Sequence, residues 1–129
     1  MIIKTGIDII EVSRIKENII KFGDVFLNRI YTKKEIDYCE SKKVQKYQSY
    51  AGRFAAKEAI FKAVSECLDS KFDIEWKDIE ILNDVNGRPF VNFYGNIANK
   101  LEEKYEIDVS ISHIGEIAIA NTVIKLEVL

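Results

Sequence analysis

Two cysteines among 129 residues, Cys39 and Cys67, are too few and too far apart for a disulfide framework. Each lies in a helical pattern, and both read as reduced packing residues, which suits a cytoplasmic protein. A long apolar run is missing too: the opening MIIKTGIDII has one lysine and is soon interrupted by Asp8 and Glu11. That excludes a signal peptide and a membrane span. Repeats, linkers and low-complexity stretches are absent, so residues 1–129 read as a single domain. Such a length buries about two-thirds of its unfolded surface without a metal or disulfide staple. The composition, 47% hydrophobic and 31% charged, is that of a soluble globular protein. There is one histidine, His113.

Net charge is also small, −2, but it hides an asymmetry. Residues 1–62 carry thirteen Lys or Arg against eight Asp or Glu, and residues 63–129 carry six against thirteen. A basic half suits an anionic partner. Nucleic acid is not indicated, because the basic residues are spread out and no nucleic-acid motif accompanies them. Between residues 14 and 34 six basic side chains, Arg14, Lys21 and Arg29 among them, meet two acidic ones. Phe22 and Phe26 lie between them. Basic side chains with apolar anchors suit an acidic helical partner, and the same Phe residues also suit a core.

What is present centres on Tyr50 to Leu68, YAGRFAAKEAIFKAVSECL. Only Gly52 could break a helix there, and apolar positions occupy almost the whole helical wheel, so the helix should be buried. Arg53, Lys57, Glu58 and Lys62 lie inside it, and burying unpaired charge is costly. Glu58 and Lys62 stand one turn apart, so an i,i+4 ion pair is one reading and a ligand-facing pair another. Arg53 and Lys57 occupy a second sector.

Around this helix, residues 1–12 predict an Ile-rich strand containing Gly6 and Asp8. A carboxylate among isoleucines has to be paired, neutralised or metal-bound. An amphipathic helix should run to Phe22, stopped by Gly23-Asp24, with a short helix over 25–30. Thr32 to Glu35 has capping-box spacing for a helix to about Ser41, and residues 42–46 form a polar connection. Strands are expected over 72–76, 78–82 and 90–94, the last two joined as a hairpin with Asn86-Gly87 at its tip. A helix over 97–105 and strands over 107–112 and 116–127 complete an α+β fold, a largely antiparallel sheet against a long buried central helix.

Three clusters could carry chemistry: Asp8, the pair Glu58 and Lys62, and Ser112-His113. Two hard carboxylates are a usual protein share for Mg²⁺, whose other ligands are waters and substrate phosphates. A lysine one turn from such a glutamate could neutralise phosphate oxygens. Asn86-Gly87-Arg88-Pro89 offers a rigid turn with a cation beside a nucleotide. By spacing alone, these residues also fit a Mg²⁺-dependent pyrophosphate hydrolase or a non-catalytic binding module.

Gly6-Ile7-Asp8-Ile9 followed by Arg14 resembles the opening motif of the holo-acyl-carrier-protein synthases. Gly52 to Ala59 with Lys62-Ala63 resembles their second motif, Asn86 to Pro89 the turn that follows, and Ser110 to His113 the late strand motif. The resemblance implies the 4′-phosphopantetheinyl transferase fold and transfer of the phosphopantetheine arm of coenzyme A to a serine of apo-acyl carrier protein, as in fatty acid biosynthesis. It implies that Asp8 and Glu58 bind Mg²⁺, and that Glu58, directly or through a water on the metal, deprotonates the serine. Lys62 would stabilise pyrophosphate charge. Arg53 and His113 would hold the 3′-phosphate of coenzyme A, with Lys57 in the same anionic site and Gly87, Arg88 and Pro89 beside the adenine. Arg14, Lys21 and Arg29 are the candidate carrier-docking face. Because Arg53 and Lys62 point to different sides of one helix, one chain would struggle to present both to one coenzyme A. A site between subunits is therefore expected, which agrees with the homotrimers of that family.

Overall fold

The computed structural model describes residues 1–68, 70 and 73–127. Its first element, β1 (Ile2–Glu11), is the expected Ile-rich strand, and its two faces differ. Gly6 is buried, and Asp8 and Ile10 are partly buried on the same face. Ile3, Ile7 and Ile9 alternate with them and stay more than half exposed. Helices α1 (Val12–Phe22) and α2 (Asp24–Ile30) follow, separated by Gly23 at φ 54°. Val12, Ile15 and Ile19 recur at helical spacing and form the buried stripe of α1. Helix α3 (Lys33–Glu40) opens on the expected capping box: the Thr32 N–H donates to Glu35 Oε1 at 2.8 Å, and the Glu35 N–H donates to Thr32 Oγ1 at 3.3 Å.

The central helix α4 (Lys46–Val64) starts four residues before the expected Tyr50, because the polar connection winds into a 3-10 turn over Lys43–Gln45 that feeds directly into it. Its buried residues include Ala51, Ala55, Ala56, Ala59 and Ala63, facing Ala118 and Ala120 of the last strand side of the core. Small side chains let the backbones come close. A Cβ on Gly6 would lie 1.8 Å from the Ala59 carbonyl oxygen, so only glycine permits this crossing of β1 over α4.

Strands β4 (Tyr105–Ile114) and β5 (Ile117–Leu126) form a hairpin, and β1 pairs with β5, giving the antiparallel order β1-β5-β4. Asp8 lies opposite Ala120, and His113 opposite Ala118. A separate hairpin, β2 (Ile79–Asn83) and β3 (Pro89–Phe93), carries the expected turn around Asn86-Gly87. The architecture is thus α+β and antiparallel around a buried helix, as expected.

Two expectations fail. Of the strand over 72–76, Phe72 lies outside the described residues. Ile74 and Glu75 have no regular structure, and Trp76–Asp78 is a 3-10 turn in which the Glu75 N–H donates to Asp78 Oδ2 at 2.9 Å. The helix over 97–105 is instead α5 (Gly95–Leu101). Glu102 and Glu103 take φ of 51° and 60°, which ends the helix, and Tyr105 joins the sheet opposite Leu126.

Candidate active site

Asp8 comes beside α4 because it shares a strand face with Gly6, which touches that helix. One turn of α4 apart, Glu58 and Lys62 project toward the same cleft, about 360 Å³, which Arg14, Phe26 and Phe54 also line. The i,i+4 ion pair between Glu58 and Lys62 does not form. Lys62 Nζ instead donates to the Ile7 carbonyl at 2.9 Å and pairs with Asp8 Oδ1 at 3.2 Å. Among the described residues no ammonium pairs with the half-buried Glu58. Burial first, then the neighbouring Asp8 carboxylate, pushes its carboxyl up from the ordinary range, against the pull of Lys62.

A second pocket, about 290 Å³, lies at the β2–β3 turn and brings together Arg53, Gly87, Pro89 and His113. Arg53 is 5% exposed and built into the wall. Its guanidinium donates to Ser49 Oγ at 3.2 Å and to Asn83 Oδ1, and its Cζ lies 4.1 Å from the centre of the Tyr38 ring. Among the described residues its Nε has no partner. The turn is preorganised: the Asp84 carboxylate accepts from the Asn86 and Arg88 N–H groups, and Asn83 Nδ2 donates to the Gly87 carbonyl. Gly87 has φ 82°, a region that favours glycine. Arg88 stands exposed at the tip, outside the lining of this pocket. Arg53 and Lys62 are nine positions apart, roughly 180° around a helix, so the two pockets open on different sides of α4.

Lys57 corrects the expectation of a lysine in the anionic site. It is 0% exposed and points into the protein. Its Nζ donates to Glu35 Oε1 at 2.8 Å, to the Trp76 carbonyl at 3.1 Å and to the Ile79 carbonyl, so all three of its N–H bonds are used internally. Burial lowers its pKa, and the Glu35 carboxylate opposes that shift. The sequence shows Glu35 only as a capping residue; nothing in its local pattern shows that it meets a lysine from α4.

Arg14, Lys21 and Arg29 are exposed on α1 and α2, and Ile20, Phe22 and Val25 are at least half exposed on the same two helices. Of these, only Arg14 lines the carboxylate cleft. Among the described residues no group of three or more His, Cys, Asp or Glu could hold a metal ion, and the carboxylates that line this cleft are Asp8 and Glu58. No described helix is long and apolar enough to cross a membrane.

A family model described as the 4′-phosphopantetheinyl transferase superfamily matches residues 4–121. The holo-[acyl-carrier-protein] synthase of Ruminiclostridium cellulolyticum is 45% identical over 127 residues, spanning 94% of this chain and 90% of that protein. That of Koribacter versatilis is 40% identical over 127 residues, with 97% and 99% covered. Among solved structures, the Chronobacterium ammoniagenes ACPS-CoA complex superposes with a TM-score of 0.84 at 26% identity, over 98% of this chain and 99% of that one. The Helicobacter pylori holo-[acyl-carrier-protein] synthase in complex with coenzyme A gives 0.79 at 30% identity, over 94% and 99%.

Proposed function

The chain belongs to the 4′-phosphopantetheinyl transferase superfamily, and on that premise we propose that it transfers 4′-phosphopantetheine from coenzyme A to a serine of an apo-acyl carrier protein. The reaction is Mg²⁺-dependent and releases adenosine 3′,5′-bisphosphate. The observation that carries this reading is the meeting of Asp8, Glu58 and Lys62 in one cleft, from two elements fifty residues apart in the chain.

Two carboxylates and open space suit Mg²⁺, which takes few protein ligands and shares the rest with water and phosphate. Asp8 and Glu58 would hold it, and when bound it supplies neutralisation of pyrophosphate charge. The chain's own groups account for the remaining chemistry. The serine oxygen forms a bond to the phosphorus that bears pantetheine, and the phosphoanhydride bond to the nucleotide breaks. Glu58 accepts the serine proton, directly or through a water molecule. Lys62, 52% exposed at its side chain, is free to swing from Asp8 to the departing phosphate oxygens. Arg53 and His113 suit the 3′-phosphate, and Gly87, Arg88 and Pro89 flank the adenine.

The active unit is a homotrimer with sites between subunits. Two features support this: the pockets of Arg53 and Glu58 open on different sides of α4, and Ile3, Ile7 and Ile9 leave an apolar sheet face exposed. Arg14, Lys21 and Arg29, with the apolar side chains between them, form the docking face for an acidic carrier helix. Free Cys39 and Cys67 suit the cytoplasm.

The test is the intact mass of an apo-acyl carrier protein after incubation with this protein, coenzyme A and Mg²⁺, with an EDTA control. A metal-dependent gain of one phosphopantetheine is expected. Coenzyme A cleaved with the carrier unmodified would point to a hydrolase, and coenzyme A bound without turnover to a binding module.

A further inference from the structure

Glu58 has a second neighbouring space besides the carboxylate cleft. It is about 170 Å³ and is lined by Phe61, Ile74, Glu75, Trp76 and Ile79 as well as by Glu58 itself. Trp76 joins the two spaces: its ring stacks on Phe54 at 5.1 Å between centroids, and Phe54 lines the carboxylate cleft. The wall has little regular structure of its own: Ile74 and Glu75 are irregular, and Trp76–Asp78 is one 3-10 turn closed by the Glu75–Asp78 capping box and tied to Tyr94, whose N–H donates to the Asp78 carbonyl at 2.8 Å.

The wall is held from behind. Lys57, the residue before Glu58, donates to the carbonyls of Trp76 and Ile79, one at each end of that turn. The third Lys57 donor goes to Glu35, 0% exposed, which also accepts the Ile81 N–H at 2.9 Å and the Thr32 N–H at 2.8 Å. Successive helix positions lie about 100° apart, so Lys57 faces inward while Glu58 faces the two spaces. A buried ammonium with three acceptors fixes two chain segments, α3 and the Trp76–Asp78 turn, relative to one turn of α4. An apolar side chain of equal volume would fill the space but would take the ammonium donor from both carbonyls, leaving that of Trp76 with only the Ile79 N–H.

We propose that Glu35 and Lys57 are positioning residues for the transfer reaction: through the Trp76 and Ile79 carbonyls they set the wall against which Glu58 meets its substrates. This rests on the transferase reading given above. Lys57 touches no open space, so its removal should act on turnover and not on coenzyme A affinity. Misplacing reacting groups by about 1 Å costs roughly 100-fold.

The experiment compares Lys57→Met, the uncharged pair Glu35→Gln/Lys57→Met, and Trp76→Ala with the parent protein. Readouts are kcat and KM for coenzyme A, the thermal midpoint, and the emission of Trp76, the one tryptophan. For Lys57→Met, kcat should fall about 10- to 100-fold, KM for coenzyme A should stay within about twofold, and Trp76 emission should shift to the red. The uncharged pair should regain thermal stability, because no buried carboxylate is left unpaired, without regaining kcat or the emission. Trp76→Ala leaves the Glu35–Lys57 pair intact and should reproduce the kcat loss; full turnover there overturns the proposal even if the lysine variants do not fold. Recovery of kcat together with stability in the paired variant would make the two residues merely structural. A KM increase of about tenfold or more with kcat unchanged would return Lys57 to the phosphate site. If the parent protein transfers nothing, the transferase reading fails, while unchanged Trp76 emission in a folded Lys57→Met protein overturns the positioning role separately.

Discussion

The Lys62 ammonium lies 3.2 Å from Asp8 Oδ1, bridging the gap between α4 and β1. Lysine therefore engages one of the two carboxylates proposed to hold Mg²⁺. Replacing Asp8 by Asn removes a charged ligand. Outer partners of metal ligands are worth about 10- to 100-fold, and a ligand itself should cost at least that. The Mg²⁺ concentration for half-maximal transfer should rise accordingly, in a titration of Asp8→Asn against the parent. Stability should change by less than about 1 kcal/mol, because the Lys62 partner is exposed. An unaltered Mg²⁺ dependence would remove Asp8 from the metal site.

Gly6 is the point where β1 crosses α4, and a Cβ there would meet the Ala59 carbonyl oxygen at 1.8 Å. Backbone cannot rotate aside as a flexible side chain can. Gly6→Ala should destabilise by about 3 kcal/mol or more, the upper end of overpacking costs, read by urea unfolding. Surviving folded protein should have lost transfer activity, since β1 carries Asp8 and α4 carries Glu58. A fully stable, active variant would contradict the close crossing.

If one coenzyme A spans Arg53 of one subunit and Glu58 of another, two dead variants should rescue each other. Mixing Arg53→Ala with Glu58→Ala under conditions that exchange subunits should restore a measurable fraction of parent activity. Mass spectrometry would establish that mixed oligomers formed. Mixed assembly without recovery places both residues in one subunit's site.

Charge reversal at Arg14, Lys21 or Arg29 should raise the carrier KM about tenfold, equivalent to roughly 1.4 kcal/mol. The effect should grow as salt is lowered, because exposed charges act through a screened field. KM for coenzyme A should hardly move for Lys21 and Arg29, which lie outside the carboxylate cleft. Equal effects on both substrates would sink the docking face.

The carboxylates carry opposite pH signs. Hydrogen bonds hold two below the ordinary range: Glu40 through Tyr50, and Glu80 through Thr32, Tyr94 and Asn92 in spite of its burial. Each contributes stability that is present above the ordinary carboxylate value and lost as pH falls through the lowered one. Glu58 is raised by burial and by Asp8, so its contribution is full below the ordinary value and lost as pH rises through the raised one. Metal-free Glu58→Gln should therefore melt higher than the parent at pH 7 and the same at pH 4, while losing transfer. Thermal melts at the two values in EDTA would check the sign; a lower midpoint at pH 7 would refute it.

The order of elements, the strand alternation of β1, the Thr32 capping box and the Asn86-Gly87 hairpin were legible because each depends on residues within a few positions of one another. Asp8, Glu58 and Lys62, which the fold brings to one cleft, stand in motifs visible in the sequence, and the opposed directions of Arg53 and Lys62 followed from helical geometry alone. The tertiary structure decided which charge meets which. Lys62 pairs with Asp8 and not with Glu58 because β1 crosses α4 at Gly6 and brings the carboxylate within reach. Lys57 leaves the phosphate site because Glu35, 22 residues away, and the carbonyls of Trp76 and Ile79 surround it. Desolvation makes a buried ammonium bind whatever acceptors the fold places around it, and no local pattern in a sequence states which those are.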